Sequence, residues 1–107
     1  MPLINLEYDD SSVSEEDAQK LSNAVRDIVS QATGIAGVFV YANSAKIKVQ
    51  IAPIEIFVRM SAKINQEKQG LMDGIKTKLT EWKKENGFSH PINLTIIPMD
   101  WQIAIGI

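Results

Sequence analysis

Cysteine is absent from this chain of 107 residues, and the only histidine is His90. The first absence excludes disulfides, thiolate nucleophiles, zinc ribbons and iron–sulfur clusters. The second excludes a multi-histidine metal site within one subunit. We expect no metal site, and most chemistry that relies on special residues is unavailable to this chain.

An excess of positive charge is missing as well. Lysine and arginine number 11 and aspartate and glutamate 13, so the formal net charge is −2. Because nucleic-acid binding depends mainly on cations that contact phosphates, we expect no nucleic-acid partner. No apolar run approaches the ~20 residues that span a bilayer, and Met1-Pro2-Leu3 does not resemble the start of a secretory signal. We expect a cytoplasmic protein without a membrane partner, folded as a single domain over residues 1–107.

Hydrophobic periodicity divides the chain into strands and helices. Apolar runs that alternate or are rich in β-formers predict strands at 3–8, 38–41, 45–51, 54–60 and 92–97, with a last extended segment at 101–107. One helix is predicted from the N-cap Ser14 to Gly34, and a second from about Asn65 to Gly87.

The order of these elements predicts the fold class. A β-α-β unit is followed by a second one, a pseudo-repeat at a spacing of about 50 residues. We predict an α+β fold of βαββαβ type, with two helices on one face of a four-stranded sheet and right-handed crossovers that make each βαβ unit parallel. Strands 38–41 and 54–60 carry consecutive apolar residues, which favours burial of both sheet faces. Since two helices cover only one face, we expect an oligomer that covers the other.

Pro2 is the sharpest candidate for chemistry. Methionine before proline is commonly removed, which would leave a free secondary amine at Pro2. An α-amino group titrates near ~7.7–8.0, and apolar burial or nearby cations lower its pKa. Such an amine acts as a general base when neutral and as a general acid when protonated. Met1-Pro2 is also compatible with a purely structural role at the start of a strand, where a missing backbone N–H is harmless.

Several short motifs occur in the order that is typical of the tautomerase superfamily. Met1-Pro2 leads directly into a strand, the first helix ends in Ala32-Thr33-Gly34, and residues 57–64 read FVRMSAKI. The tail, residues 96–106, reads IIPMDWQIAIG, an aromatic residue before a small strand that contains glycine. The chain resembles this superfamily, which includes 4-oxalocrotonate tautomerase, macrophage migration inhibitory factor and 5-carboxymethyl-2-hydroxymuconate isomerase.

The resemblance implies a site and an assembly. It implies a homotrimer in which Pro2 lies at the base of a pocket between subunits and moves a proton in the enol–keto isomerisation of a small 2-oxo acid, without a cofactor. Trp101 and Phe39 fall near the aromatic walls of that pocket, and Thr95 falls near a polar position.

The cations of the family's pocket are replaced in this sequence. Their positions fall at Ser12, Ile35 and Tyr41. The charged hydrogen bond to a substrate carboxylate that each would make is worth about 1.5–3 kcal/mol. Arg59 and Lys63 are the candidate substitutes for holding that carboxylate, and Lys63, at the exit of the strand, is the better placed of the two.

Two other functions remain open. Loss of the cations, or retention of Met1, favours a catalytically inactive trimer of the same fold that binds a small ligand or a protein partner. A ferredoxin-like βαββαβ domain that serves as a regulatory module is the third hypothesis.

The other polar residues are explained without a catalytic or binding role. His90 is expected to be exposed, and the acidic residues near position 10 suit a helix start. Lys46 and Lys48 are expected on the solvated face of a strand.

Overall fold

The computed structural model describes all 107 residues as a sheet covered on one face by helices. The elements are β1 (Leu3–Tyr8), α1 (Glu15–Thr33), β2 (Phe39–Ser44), β3 (Ile54–Ser61), α2 (Ala62–Glu67), α3 (Leu71–Asn86) and β4 (Asn93–Met99). None of the helices combines the length and the apolar character that crossing a bilayer requires.

The strand order confirms the predicted pair of βαβ units. The four strands lie in the order β2-β1-β3-β4. β1 is parallel to β2, β3 is parallel to β4, and β1 and β3 meet antiparallel at the centre. Each helical crossover therefore returns the chain to start a strand in the same direction as the one before it.

Alternation along the central strands separates a buried face from an open one. In β3 every second residue from Ile54 to Met60 is fully buried. Ile4 and Leu6 of β1 are buried in the same way, and they share one core with the apolar faces of α1 and α3, which include Leu21, Val25, Val29, Ile75 and Leu79. Burial of each such side chain favours folding by about 1.5–3 kcal/mol.

The ends of α1 follow the predicted capping. The Ser14 hydroxyl accepts a hydrogen bond from the backbone N–H of Asp17 at 3.1 Å. At the other end Gly34 adopts φ 73°, and its N–H donates to the carbonyl of Ser30. A left-handed residue at this point lets the chain leave the helix towards β2, and glycine adopts it without a steric penalty.

The opposite face of the sheet has no helical cover in the single chain. It carries the odd-numbered residues of the strands, which the register sets side by side: Phe39, Leu3, Arg59 and Ile97 in one row, and Tyr41, Asn5, Phe57 and Thr95 in the next. Phe39 is 47% exposed and Tyr41 55%. The oligomer expected from the sequence would cover this face.

The predicted strand at 45–51 is wrong for the single chain. The segment is a bent loop without strand pairing, in which Ile47 is 88% exposed and Val49 99%. A period-two pattern gives a strand only where a neighbouring edge supplies hydrogen bonds, and β1 already occupies the inner edge of β2.

The second predicted helix is two helices. The hydroxyl of Ser61 accepts from the N–H of Lys63 at 3.2 Å, so a helix begins directly at the exit of β3 rather than near Asn65. α2 and α3 are separated at Gly70, which has φ 72°. This left-handed glycine turns the chain between the two helices.

Candidate functional site

Pro2 lies at the start of β1, at one end of the sheet. Its side chain is less than 2% exposed. Its carbonyl accepts a hydrogen bond from the backbone N–H of Phe39 at 3.2 Å, which ties the start of β1 to the start of β2. The register then sets Phe39 beside Leu3, so Phe39 is fixed next to Pro2 by parallel pairing.

Arg59 reaches the same end of the sheet from the other side of β1. It is the antiparallel partner of Leu3, one residue beyond Pro2. Its guanidinium lies 5.8 Å from the centroid of the Phe57 ring, and Nη1 donates a hydrogen bond to the side-chain oxygen of Asn5. The side chain is therefore held flat along the open face of the sheet, where cation–π attraction and the hydrogen bond fix its position.

Lys63 and Trp101 leave the sheet near this end. Lys63 lies in α2, directly after β3; its side chain is 81% exposed and its Nζ is 4.0 Å from a carboxylate oxygen of Glu67. Trp101 follows the last residue of β4, Met99, whose register partner is Ser61. Thr95 lies farther along the open face, opposite Phe57.

The structure thus groups Pro2, Phe39 and Arg59 around the start of β1. It places Lys63 and Trp101 on the segments that leave the sheet beside them, and Thr95 inward along the open face.

An ion-pair cluster that sequence reasoning missed lies at the other end of β1. The ammonium of Lys48 is 2.9 Å from Oδ1 of Asp9 and 3.3 Å from the hydroxyl of Ser11, and it also contacts the carboxylate of Asp10. The hydrogen bonds that Lys48 donates hold the pKa of both aspartates below its ordinary value, and the same bonds to the carboxylates of Asp10 and Asp9 raise the pKa of Lys48.

This cluster anchors the 45–51 loop to the loop between β1 and α1. The N–H of Asp9 also donates to the carbonyl of Pro53 at 2.9 Å, so the loop is held at both its middle and its end. The sequence pattern predicted that Lys48 lies on the solvated face of a strand. This prediction is wrong, because Lys48 lies in a loop and is bound to two carboxylates. The partners are 39 and 38 residues apart, too far for any local pattern to reveal the pairing.

The anchored loop closes one side of a cavity of about 480 Å³ at this end of the sheet. The cavity lies at the opposite end of β1 from Pro2, and its lining includes Ile51, Phe57, Glu7 and Glu55. The two glutamates are direct cross-strand partners, and Asn93 donates a hydrogen bond to Glu55 at 2.9 Å.

His90 is partly buried, so the expectation of an exposed loop residue is wrong. Its side chain is 24% exposed, and Nε2 lies 3.3 Å from a carboxylate oxygen of Asp17 at the start of α1. The ring packs edge-on against Phe88, with 5.1 Å between the centroids. These contacts attach the segment before β4 to α1, which is a structural role.

Comparison with known proteins rests on structure. No family model and no curated protein matches the sequence. The structure is similar to a fused 4-OT wild-type asymmetric trimer, with a TM-score of 0.67 at 13% identity over 94% of this chain and 91% of that one.

Two further solved structures agree. A 5-carboxymethyl-2-hydroxymuconate isomerase from Deinococcus radiodurans R1 gives a TM-score of 0.61 at 14% identity over 94% of this chain and 83% of that one. A macrophage migration inhibitory factor-like protein from Entamoeba histolytica gives a TM-score of 0.60 at 17% identity over 96% of this chain and 93% of that one. The identities are too low to carry residue roles across, whereas the coverage includes nearly every element. The chain therefore has the βαββαβ fold of the tautomerase superfamily.

Proposed function

We propose that this protein is a tautomerase-like isomerase in which the amine of Pro2, freed by removal of Met1, is general base and general acid. The substrate is a small 2-oxo acid in its enol form. The functional unit is a cytoplasmic homotrimer of single-domain subunits that begin at Pro2. Association is needed because the open sheet face requires a cover that one chain does not supply.

The observation that carries the proposal is the register of β1 against β3. It sets Arg59 opposite Leu3, so a cation and the start of the chain lie on adjacent positions of neighbouring strands. A carboxylate held by a guanidinium accepts two parallel hydrogen bonds, which would orient the substrate towards the terminal amine. The similarity to a fused 4-OT and to a 5-carboxymethyl-2-hydroxymuconate isomerase supports the same reaction class.

The reaction needs only one proton-transfer group. Neutral Pro2 takes the proton of the enol hydroxyl, and the electrons of that O–H bond form the carbonyl. The electrons of the enol double bond then take the proton from protonated Pro2 at carbon, which restores the neutral amine. Arg59, or Lys63 at the exit of β3, holds the carboxylate, Phe39 and Trp101 form apolar walls, and Thr95 offers a hydroxyl.

A specific observation favours the alternative, a catalytically inactive trimer of this fold that binds a small ligand or a protein partner. Arg59 is already engaged by Asn5 and Phe57, and Lys63 points into solvent beside Glu67. If neither cation is released to a substrate, a carboxylate has no charged partner here.

The test is ketonisation of phenylpyruvate by protein whose intact mass confirms removal of Met1. The matched control is the same chain with Met1 retained, which keeps every side chain but has a peptide nitrogen at Pro2. A rate above background that disappears in the Met1-retained form and in Pro2→Ala is the expected result. Equal rates above background in all three forms would contradict the role of Pro2, and a rate no higher than background in all three would favour the inactive alternative.

A further inference from the structure

The cavity at the end of β1 away from Pro2 combines apolar walls with two carboxylates. Its volume of about 480 Å³ lies in the range that is typical of small-molecule sites. The loop before β3 contributes Ile51 to its wall, and β3 contributes Phe57. The charged residues of the lining are Glu7 and Glu55, and both are half-buried. Apolar walls with a few polar groups suit an organic ligand.

The negative charge of the two glutamates is not compensated within the chain. Glu7 and Glu55 are direct partners across the β1–β3 pair, where like charges destabilise a sheet. Neither carboxylate lies within 4.0 Å of a lysine or arginine nitrogen. Asn93 donates a hydrogen bond to Glu55 at 2.9 Å, which satisfies one oxygen but adds no positive charge.

The lysine that the loop brings to this end of the sheet is engaged elsewhere. Lys48 is held by the carboxylates of Asp9 and Asp10, so it neutralises those residues and not the glutamates. Arg59 lies four residues along β3 from Glu55, a separation of about 13 Å in an extended strand. A positive charge for the cavity must therefore come from a ligand.

The expected assembly gives the same requirement. A subunit that covers the exposed aromatic rings of Phe39 and Tyr41 removes apolar surface from water, which favours association. Covering Glu7 and Glu55 is unfavourable, because an unpaired carboxylate is costly to bury. The glutamate end of the open face therefore either stays accessible in the assembly or is covered together with a bound cation.

We propose that this cavity binds an organic cation, a primary ammonium ion with an apolar body, whose ammonium lies between Glu7 and Glu55 and whose body packs against Ile51 and Phe57. The carboxylates supply charged hydrogen bonds, and the apolar walls remove the body of the ligand from water. A bare metal ion would gain nothing from those walls. The site lies at the opposite end of β1 from Pro2, so it goes beyond the proposed function and does not depend on catalysis there.

Calorimetric titration of the full chain with tryptamine tests the ligand class. Tryptamine carries a primary ammonium on an indole ring, and 3-methylindole has the same ring without the charge. Tryptamine should bind with a Kd below about 1 mM, and 3-methylindole at least about tenfold more weakly, because it lacks the charged hydrogen bonds. Equal affinities for the two compounds, or no binding of tryptamine, would overturn the proposal.

Two variants place the ammonium. Glu7→Gln and Glu55→Gln each keep the shape of the side chain and remove one negative charge, so each should weaken tryptamine binding at least about fivefold. Glu85→Gln is the matched control, because it changes the net charge equally at an exposed position of α3. Unchanged binding in both cavity variants would refute the site, and equal weakening in Glu85→Gln would assign the effect to overall charge.

Thermal unfolding checks the folding of the variants and measures the same site independently. Without ligand, Glu7→Gln should unfold at a higher temperature than the unmodified chain, because it relieves the repulsion from Glu55. Saturating tryptamine should raise the unfolding temperature of the unmodified chain more than that of Glu7→Gln, since a ligand stabilises the state that binds it. Equal increases in the two proteins would contradict binding between the glutamates.

Discussion

Arg59 donates a hydrogen bond to Asn5, which lies two residues along β1 from its register partner, Leu3. The guanidinium is therefore drawn towards the middle of the open face and rests beside Phe57. A substrate carboxylate that binds Nη1 of Arg59 near Pro2 would replace Asn5 as the acceptor there. The charge of the carboxylate favours this exchange, because a hydrogen bond between charged partners is roughly twice as strong as one to a neutral amide.

Replacing Arg59 should weaken substrate binding more than replacing Lys63. We expect Arg59→Ala to raise the KM for phenylpyruvate by about 10- to 100-fold, the equivalent of a lost charged hydrogen bond of roughly 1.5–3 kcal/mol. Lys63→Ala should change KM by less than about twofold, because an exposed ion pair contributes little. Steady-state kinetics of both variants measures the difference, and a larger effect at Lys63 would assign the carboxylate to that residue instead.

Replacing Asn5 offers a complementary prediction. Asn5→Ala removes the neutral acceptor that competes for the guanidinium, so KM should fall or stay constant while the rest of the sheet is unchanged. A rise in KM comparable to that of Arg59→Ala would instead mean that Asn5 positions the guanidinium for the substrate. The same assay distinguishes the two outcomes.

Removing the Lys48 ammonium should loosen the 45–51 loop without unfolding the sheet. In Lys48→Ala, the backbone amides of residues 45–52 should exchange hydrogen faster, because the loop loses its contacts to Asp9, Asp10 and Ser11. Lys46→Ala is the control, since Lys46 is exposed and belongs to the same loop. Equal exchange rates in the two variants would argue against the ion pairs as the anchor.

The pH dependence of this anchor follows from the shifted pKa values. The pKa of Asp9 and Asp10 lies below the ordinary 3.8, so their contribution to stability is fully present above that value and is lost as the pH falls through the lowered pKa. The pKa of Lys48 lies above the ordinary 10.5, so its contribution is present below that value and is lost as the pH rises through the raised pKa.

Urea unfolding of the unmodified chain and of Lys48→Ala checks this window. The difference between their midpoints should be constant from about pH 5 to about pH 9 and should shrink at more acid pH. A difference that changes around neutral pH would point to another titrating group.

Replacing Gly34 by any residue with a side chain should lower the stability of the protein. Its φ of 73° lies in the left-handed region, so Gly34→Ala should destabilise the protein by about 1–2 kcal/mol, although open space surrounds the position where the Cβ would lie. Gly37→Ala is the matched control, because Gly37 also faces open space but has no left-handed φ. Thermal unfolding measures both variants, and an equal loss would mean that backbone conformation is not the cause.

The sequence predicted the parts of the fold that depend on local chemistry. Ser14 and Gly34 delimit α1 because capping uses neighbouring backbone groups, and the alternation in β3 separates buried Ile56 from half-buried Phe57 because side chains of a strand point to opposite faces. The break at Gly70 was missed, since a glycine within an apolar helical pattern is compatible both with a continuous helix and with a turn.

The candidate site was predictable only in part. Met1-Pro2 at the start of a strand drew attention to the terminal amine, and the absence of the family's cations made Arg59 and Lys63 the candidates for holding a carboxylate. The position of Arg59 beside Leu3, and its engagement by Asn5, depend on the pairing of two strands about 50 residues apart in sequence, which no local pattern specifies.

The sequence by itself excluded thiol chemistry and a multi-histidine metal site, because it contains no cysteine and a single histidine. Pro2 remained as the candidate catalytic residue, because an amine needs neither a thiol nor a metal. Tertiary structure alone decided which groups meet: Lys48 with Asp9 and Asp10, Phe39 with Pro2, and Arg59 with Asn5. The physical reason is that residue type and periodicity fix local conformation and the buried face, whereas ion pairs and strand register join distant segments and are decided only when the whole chain folds.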